Sequence, residues 1–99
     1  DVDGVVFLGA YPFFESYKDL NIPTLNIYGE KDGLIDPVKR AKVNGYMPAN
    51  TIHKLIEGGN HAQFGNYGFQ KGDLDATLDK EVQQHLTTKY IIEFINNNK

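Results

Sequence analysis

Three short apolar runs rich in β-branched and aromatic residues mark the chain: Gly4 to Leu8, Thr24 to Tyr28 and Thr51 to Ile56. The first is apolar throughout, the pattern of a strand covered on both faces in a parallel sheet. The second enters after Pro23 and leaves at Gly29, the punctuation of a strand with a sharp exit. Between the second and third runs, Asp36-Pro37 reads as a helix start, with Asp as N-cap acceptor and Pro at the first helical position, where a missing N–H costs nothing. Val38, Ala41 and Met47 are expected to give that helix an apolar side, and Gly45 and Pro48 limit it. From Asp79 onward, Val82, Leu86, Tyr90, Ile91, Phe94 and Ile95 follow the spacing of an amphipathic helix that frays into Asn96-Asn97-Asn98. Strand, short loop or helix, strand, helix, strand, long loop, helix: this alternation predicts an α/β fold with parallel strands between helical layers, a three-layer αβα arrangement.

At 99 residues the chain suffices for one domain and not for two. It has no Cys, which removes disulfides, thiol nucleophiles and Cys-ligated zinc. Lys+Arg 10 against Asp+Glu 13 gives a net charge of -3, and the only basic cluster is Lys39, Arg40 and Lys42. Such a chain has little to offer a phosphate backbone, so nucleic acid is not expected as a partner. Its apolar runs are far shorter than the roughly 20 residues of a membrane helix, so no membrane span is expected in this segment. The chain begins Asp1-Val2-Asp3-Gly4, without an initiating Met or a basic leader, and is expected to start partway through a longer protein.

In open α/β sheets, functional loops lie beyond the carboxyl ends of the strands. Here those loops are Gly9-Ala10-Tyr11-Pro12, Gly29-Glu30-Lys31-Asp32-Gly33 and Gly58-Gly59-Asn60-His61-Ala62-Gln63-Phe64. A carboxylate and an imidazole thus leave the same sheet edge on consecutive strands, about 4.8 Å apart if adjacent, so an Asp32–His61 hydrogen bond is cheap to make. A buried carboxylate on one ring nitrogen fixes the tautomer that lets the other nitrogen take a proton from a hydroxyl. Gly58 and Gly59 are expected to supply the backbone angles that swing the histidine loop back over the sheet. Asp36 is explained by helix capping, His53 as a strand histidine facing a crevice or solvent, and His85 as a surface residue. Asp73 is expected to cap or brace the histidine loop. Tyr11, Phe64, Tyr67 and Phe69 are candidates either for an acyl pocket or for packing over the end of the sheet. No metal-ligand spacing or phosphate-binding glycine motif is present, so no metal and no cofactor are expected.

Gly29-Glu30-Lys31-Asp32 resembles the acid turn of α/β-hydrolases, and Glu57-Gly58-Gly59-Asn60-His61-Ala62-Gln63-Phe64-Gly65 resembles their histidine loop. The continuation Gly65-Asn66-Tyr67-Gly68-Phe69-Gln70-Lys71-Gly72-Asp73 resembles a bacterial, dienelactone hydrolase-like branch of that superfamily. The resemblance implies that residues 1–99 are the C-terminal part of one α/β-hydrolase domain, about three strands plus helices, with catalytic residues His61 and Asp32. In this superfamily the nucleophile sits in a G-x-S-x-G elbow ahead of the acid and the histidine. The sequence contains no such elbow, and its only serine, Ser16 in Phe14-Glu15-Ser16-Tyr17, lacks the flanking glycines.

The implied function is therefore that of a fragment of a serine esterase acting on a small-molecule ester or acyl substrate, inactive by itself. The alternative is a non-catalytic α/β binding or scaffolding module that keeps the hydrolase framework. The isolated chain is expected to self-associate through the unpaired edge of its first strand or through an apolar sheet face left bare. The longer protein is compatible with either a cytoplasmic or a membrane-anchored extracellular location.

Overall fold

Val5–Leu8 (β1), Thr24–Gly29 (β2) and Ile52–Ile56 (β3) pair in parallel in the order β1-β2-β3, in a computed structural model that describes residues 4–12, 15–66 and 68–98. The register sets Val5 against Thr24 and Leu25 against Ile52. Helix α1, Pro37–Asn44, joins β2 to β3, and helix α2, Lys80–Asn97, follows the long loop after β3. Asp36 caps α1, accepting a hydrogen bond from the Lys39 N–H at 2.8 Å. The expected α/β class and element order are those observed.

Alternation along β2 divides the sheet into two unlike faces. Leu25 and Ile27 point to one side, where they form a buried core with Ile56 and Phe94. Val6, Leu8, Phe64, Leu78, Leu86, Tyr90 and Ile91 pack around it. Helix α2 covers this face. On the other face lie Asn26, Tyr28 and their β3 neighbour His53, and α1 meets them with Asn44 and Arg40: Asn26 Nδ2 donates to Asn44 Oδ1 at 3.2 Å, and the Arg40 guanidinium lies 4.3 Å from the Tyr28 ring centroid.

That polar face overturns the expected apolar side of α1. Val38 is 82% exposed and Ala41 is exposed, whereas Arg40 and Val43 are buried. The part of that face formed by Asn26, Tyr28 and His53 is better met by a guanidinium and an amide, four residues apart on one helical face, than by aliphatic groups. Met47, just past the helix, is buried as expected.

Two further expectations are corrected. β1 is half-buried along its whole length rather than covered on both faces, and it lies at one edge of the sheet, paired with β2 alone among the described residues. Val82 and Ile95 of α2 are exposed, while Gln83 and Thr87 are buried beside Leu86, Tyr90, Ile91 and Phe94. The helix is amphipathic, but its first two turns bury a polar stripe that binds the loop after β3. Among the described residues, no helix is long and apolar enough to cross a membrane.

The two faces make a contrast that chemical denaturation will measure. Leu25→Ala, at a site 1% exposed, is expected to cost about 3 kcal/mol of stability. Val38→Ala is expected to change stability by less than about 0.5 kcal/mol. Equal losses in the two variants would contradict the assignment of the core to the α2 side.

Candidate active site

The exits of β2 and β3 stay joined after the strands end. Glu30 N–H donates to the Ile56 carbonyl at 3.0 Å and Lys31 N–H to the Gly59 carbonyl at 2.7 Å. Glu30 Oε1 accepts the Gly58 N–H at 2.9 Å. Acid turn and histidine loop therefore leave the sheet as a paired unit.

Asp32 sits at the end of this unit and is 4% exposed. Its Oδ1 accepts the N–H groups of Leu34 at 2.9 Å and Ile35 at 3.0 Å, which fixes the carboxylate within its own turn. Its Oδ2 faces His61 Nδ1 at 3.0 Å. An ionised carboxylate only accepts, so the proton of this hydrogen bond belongs to Nδ1 and the neutral ring carries its free lone pair on Nε2. The same Oδ2 is 3.7 Å from Arg40 Nη2.

Asp73 and Gln83 are two of the polar residues that hold the histidine loop. Asp73 accepts four backbone N–H groups: Gly33 at 3.0 Å, His61 at 3.3 Å and Leu74 at 2.9 Å on Oδ1, and Ala62 at 2.9 Å on Oδ2. Burial pushes its carboxyl pKa up, but the N–H groups of Gly33, Ala62, His61 and Leu74 outweigh that and hold it below the usual value. Because Gly33 follows Asp32, this one side chain ties the acid turn to the histidine loop. The bracing expected of Asp73 is the contact observed, with the acid turn added to it.

Gln83 does the same from α2. It is fully buried; its Nε2 donates to the Asn60 carbonyl at 2.8 Å, and its Oε1 accepts from Asn60 N at 3.2 Å and Gln63 Nε2 at 2.8 Å. Gln83 is a residue of this site that carries no sequence signal, since its neighbours Gln84 and His85 are polar too. His85 itself is exposed.

Gly9, which opens the loop after β1, is a second contributor. Gly9 has φ +59°, and a Cβ there would lie 3.1 Å from His61 Nδ1 and 3.2 Å from the Phe64 ring. The imidazole thus reaches across β2 to lie over the end of β1. Gly58, at φ +76°, turns the loop as expected. Gly59 has no positive φ; it is needed for room, because a Cβ there would lie 2.8 Å from Gln83 Oε1.

The other candidates lie elsewhere. His53 is exposed on β3, its Nδ1 3.1 Å from Asn26 Nδ2, and burial of the ring, then Arg40, push its pKa below the ordinary value. Phe64 packs against the core, Phe69 is 71% exposed, and Tyr11 carries Lys39 Nζ 4.9 Å from its ring centroid. Tyr67 lies outside the described residues. Ser16 is exposed in a 3₁₀ turn, Glu15–Asp19, whose Tyr17 hydroxyl bonds Thr24 Oγ1 at 3.1 Å, at the amino end of β2 and so opposite the Asp32–His61 pair. No group of three or more His, Asp or Glu able to hold a metal occurs among the described residues.

A model of the alpha/beta hydrolase family matches residues 1–85, a span that contains Asp32, His61, Asp73 and Gln83. The chain belongs to that family. No curated protein and no solved structure is similar enough to be matched with it.

Asp73→Asn is expected to lower stability at pH 7 by about 2 kcal/mol, since the amide replaces a charged acceptor. The folded-state pKa of Asp73 is depressed, so its contribution is present above the unfolded value of about 3.9 and is lost as pH falls through the folded value. Denaturation at a series of pH values checks this: the gap between the two proteins should hold above about pH 4 and close below it.

Proposed function

From this family membership, we propose that Asp32 and His61 are the acid and base of a serine hydrolase acting on ester bonds, and that the nucleophile comes from a G-x-S-x-G segment outside residues 1–99. The observation that carries this reading is the 3.0 Å Nδ1–Oδ2 contact of a buried carboxylate with an imidazole on the loops after adjacent parallel strands. Nε2 takes the proton of the attacking hydroxyl, and Asp32 stabilises the imidazolium that forms. His61 then returns the proton to the leaving alcohol, and water releases the acyl group by the same cycle. His61 lies over the end of β1, the edge strand, so a nucleophile turn carried by a strand added beside β1 falls on the side to which the ring reaches.

The run from Gly65 to Asp73 supports placement in a dienelactone hydrolase-like branch, with a small ester or acyl compound as substrate. Residues 1–99 are then the C-terminal part of the hydrolase domain. The half-buried β1, which pairs only with β2 among the described residues, also supports self-association of the chain through that edge.

In the protein that joins this chain to such a segment, a serine-directed fluorophosphonate should label the enzyme. His61→Ala should lower kcat by on the order of 10⁶, and Asp32→Asn by about 10⁴. Residues 1–99 alone should not hydrolyse a p-nitrophenyl ester above background. Turnover by the 99-residue chain that His61→Ala abolishes would overturn the division of the site; a longer protein that stays unlabelled and inert would favour the non-catalytic module. Sedimentation of the 99-residue chain at high concentration should show dimers or larger species, and a monodisperse monomer would overturn the edge association.

A further inference from the structure

Resting on the reading of His61 as base and Asp32 as its acid, we infer that Arg40 is a positioning residue of the same site. It is a buried cation that keeps Asp32 an ionised acceptor and keeps His61 neutral, and so able to accept a proton, to lower pH than the carboxylate alone would allow.

The geometry is unusual for an arginine on a helix face. Arg40 is 9% exposed, yet neither Nη1 nor Nη2 has a hydrogen-bond acceptor among the described residues. A guanidinium carries five donors and cannot lose its charge in a protein, so burying it in this way is costly unless charge compensates. Two groups supply compensation: the Tyr28 ring, 4.3 Å from the guanidinium carbon, and Asp32 Oδ2, 3.7 Å from Nη2. Packing alone would be served as well by an uncharged side chain of the same length.

At 3.7 Å the Arg40–Asp32 contact is too long for a hydrogen bond, so Arg40 leaves Oδ2 to the Nδ1–H of His61 and acts on it by charge. The sign follows. A carboxylate on Nδ1 favours the imidazolium, and with no counter-charge it holds His61 protonated, and useless as a base, to higher pH. A cation on the far side of that carboxylate offsets this pull while keeping the carboxylate itself from protonating.

The nearby carboxylates are held by other partners. Asp73 is spent on four backbone N–H groups, Glu30 on Gly58 N–H, and Asp36 on the cap of α1. Burial, and then Arg40, push the pKa of His53 on β3 below its ordinary value.

The test is an NMR titration of the His61 ring in the 99-residue chain, which reads the pair whether or not a nucleophile is present. In Arg40→Met the midpoint should rise by about one pH unit, and Arg40→Lys should bring it back toward that of the unaltered chain. His85, exposed on α2, should titrate alike in every variant. If Arg40→Met fails to fold, Arg40→Gln, which keeps a polar head without charge, is titrated in its place and should show the same rise. A folded neutral variant in which His61 titrates as in the unaltered chain overturns the role of Arg40 and leaves the hydrolase reading standing. A longer protein that is inert with this shift intact overturns only the hydrolase reading.

Discussion

Asp73 receives four backbone N–H groups, from the acid turn, the histidine loop and its own neighbour, and the Asp32–His61 pair depends on that arrangement. Loops beyond the end of a sheet carry backbone donors that the strand ladder no longer satisfies. A single carboxylate meets those of both loops at once. In doing so it sets the distance between the segments on which acid and imidazole ride. Without it, Gly33 and Ala62 would each need another acceptor, and beyond the pairing of Glu30 and Lys31 with Ile56 and Gly59 the two loops would lose the tie nearest the acid and the imidazole.

A similar economy appears on α2. A helix packed over a sheet usually buries aliphatic groups, and from Leu86 to Phe94 this one does. Its first turns instead bury Gln83, which reproduces with one amide the donor and acceptor pattern of a strand neighbour, taking the N–H and the carbonyl of Asn60. The loop residue just before His61 is thereby treated as though it still lay in a sheet. That anchoring also places Gly59 so near the Gln83 side chain that no Cβ fits there.

The order of elements, the parallel sheet and the Asp32–His61 contact were all legible in the sequence, because each rests on local signals: β-branched runs, Pro23 and Gly29 at strand ends, and loops that leave one sheet edge. What was not legible depended on which face met which. Val38, Ala41, Val82 and Ile95 were read as buried because apolar residues at helical spacing usually are. The sheet face opposite Leu25 carries polar groups at Asn26 and His53, and Arg40 and Asn44 of α1 turned toward that part of it. Nothing in a helix sequence announces the polarity of the surface it will meet. The contact of Gly9 with His61 was not legible for a related reason: it joins positions more than fifty residues apart, and a glycine after a strand is too common to signal that.

One consequence concerns where the site is determined. Asp32 is fixed by its own turn, the histidine loop by Asp73 and Gln83, and the two loops by the continued pairing of Glu30 and Lys31 with Ile56 and Gly59. All of these contacts lie within β2, β3, their exits and α2. The acid–base half of the site is therefore set by elements that share no contact with the outer edge of β1. The rings of His61 and Phe64, seated over Gly9, are what the histidine loop sets against the end of that strand. A nucleophile brought to β1 would find an acid and a base already aligned, and the rate it achieved would turn on one remaining variable, its own position relative to Nε2.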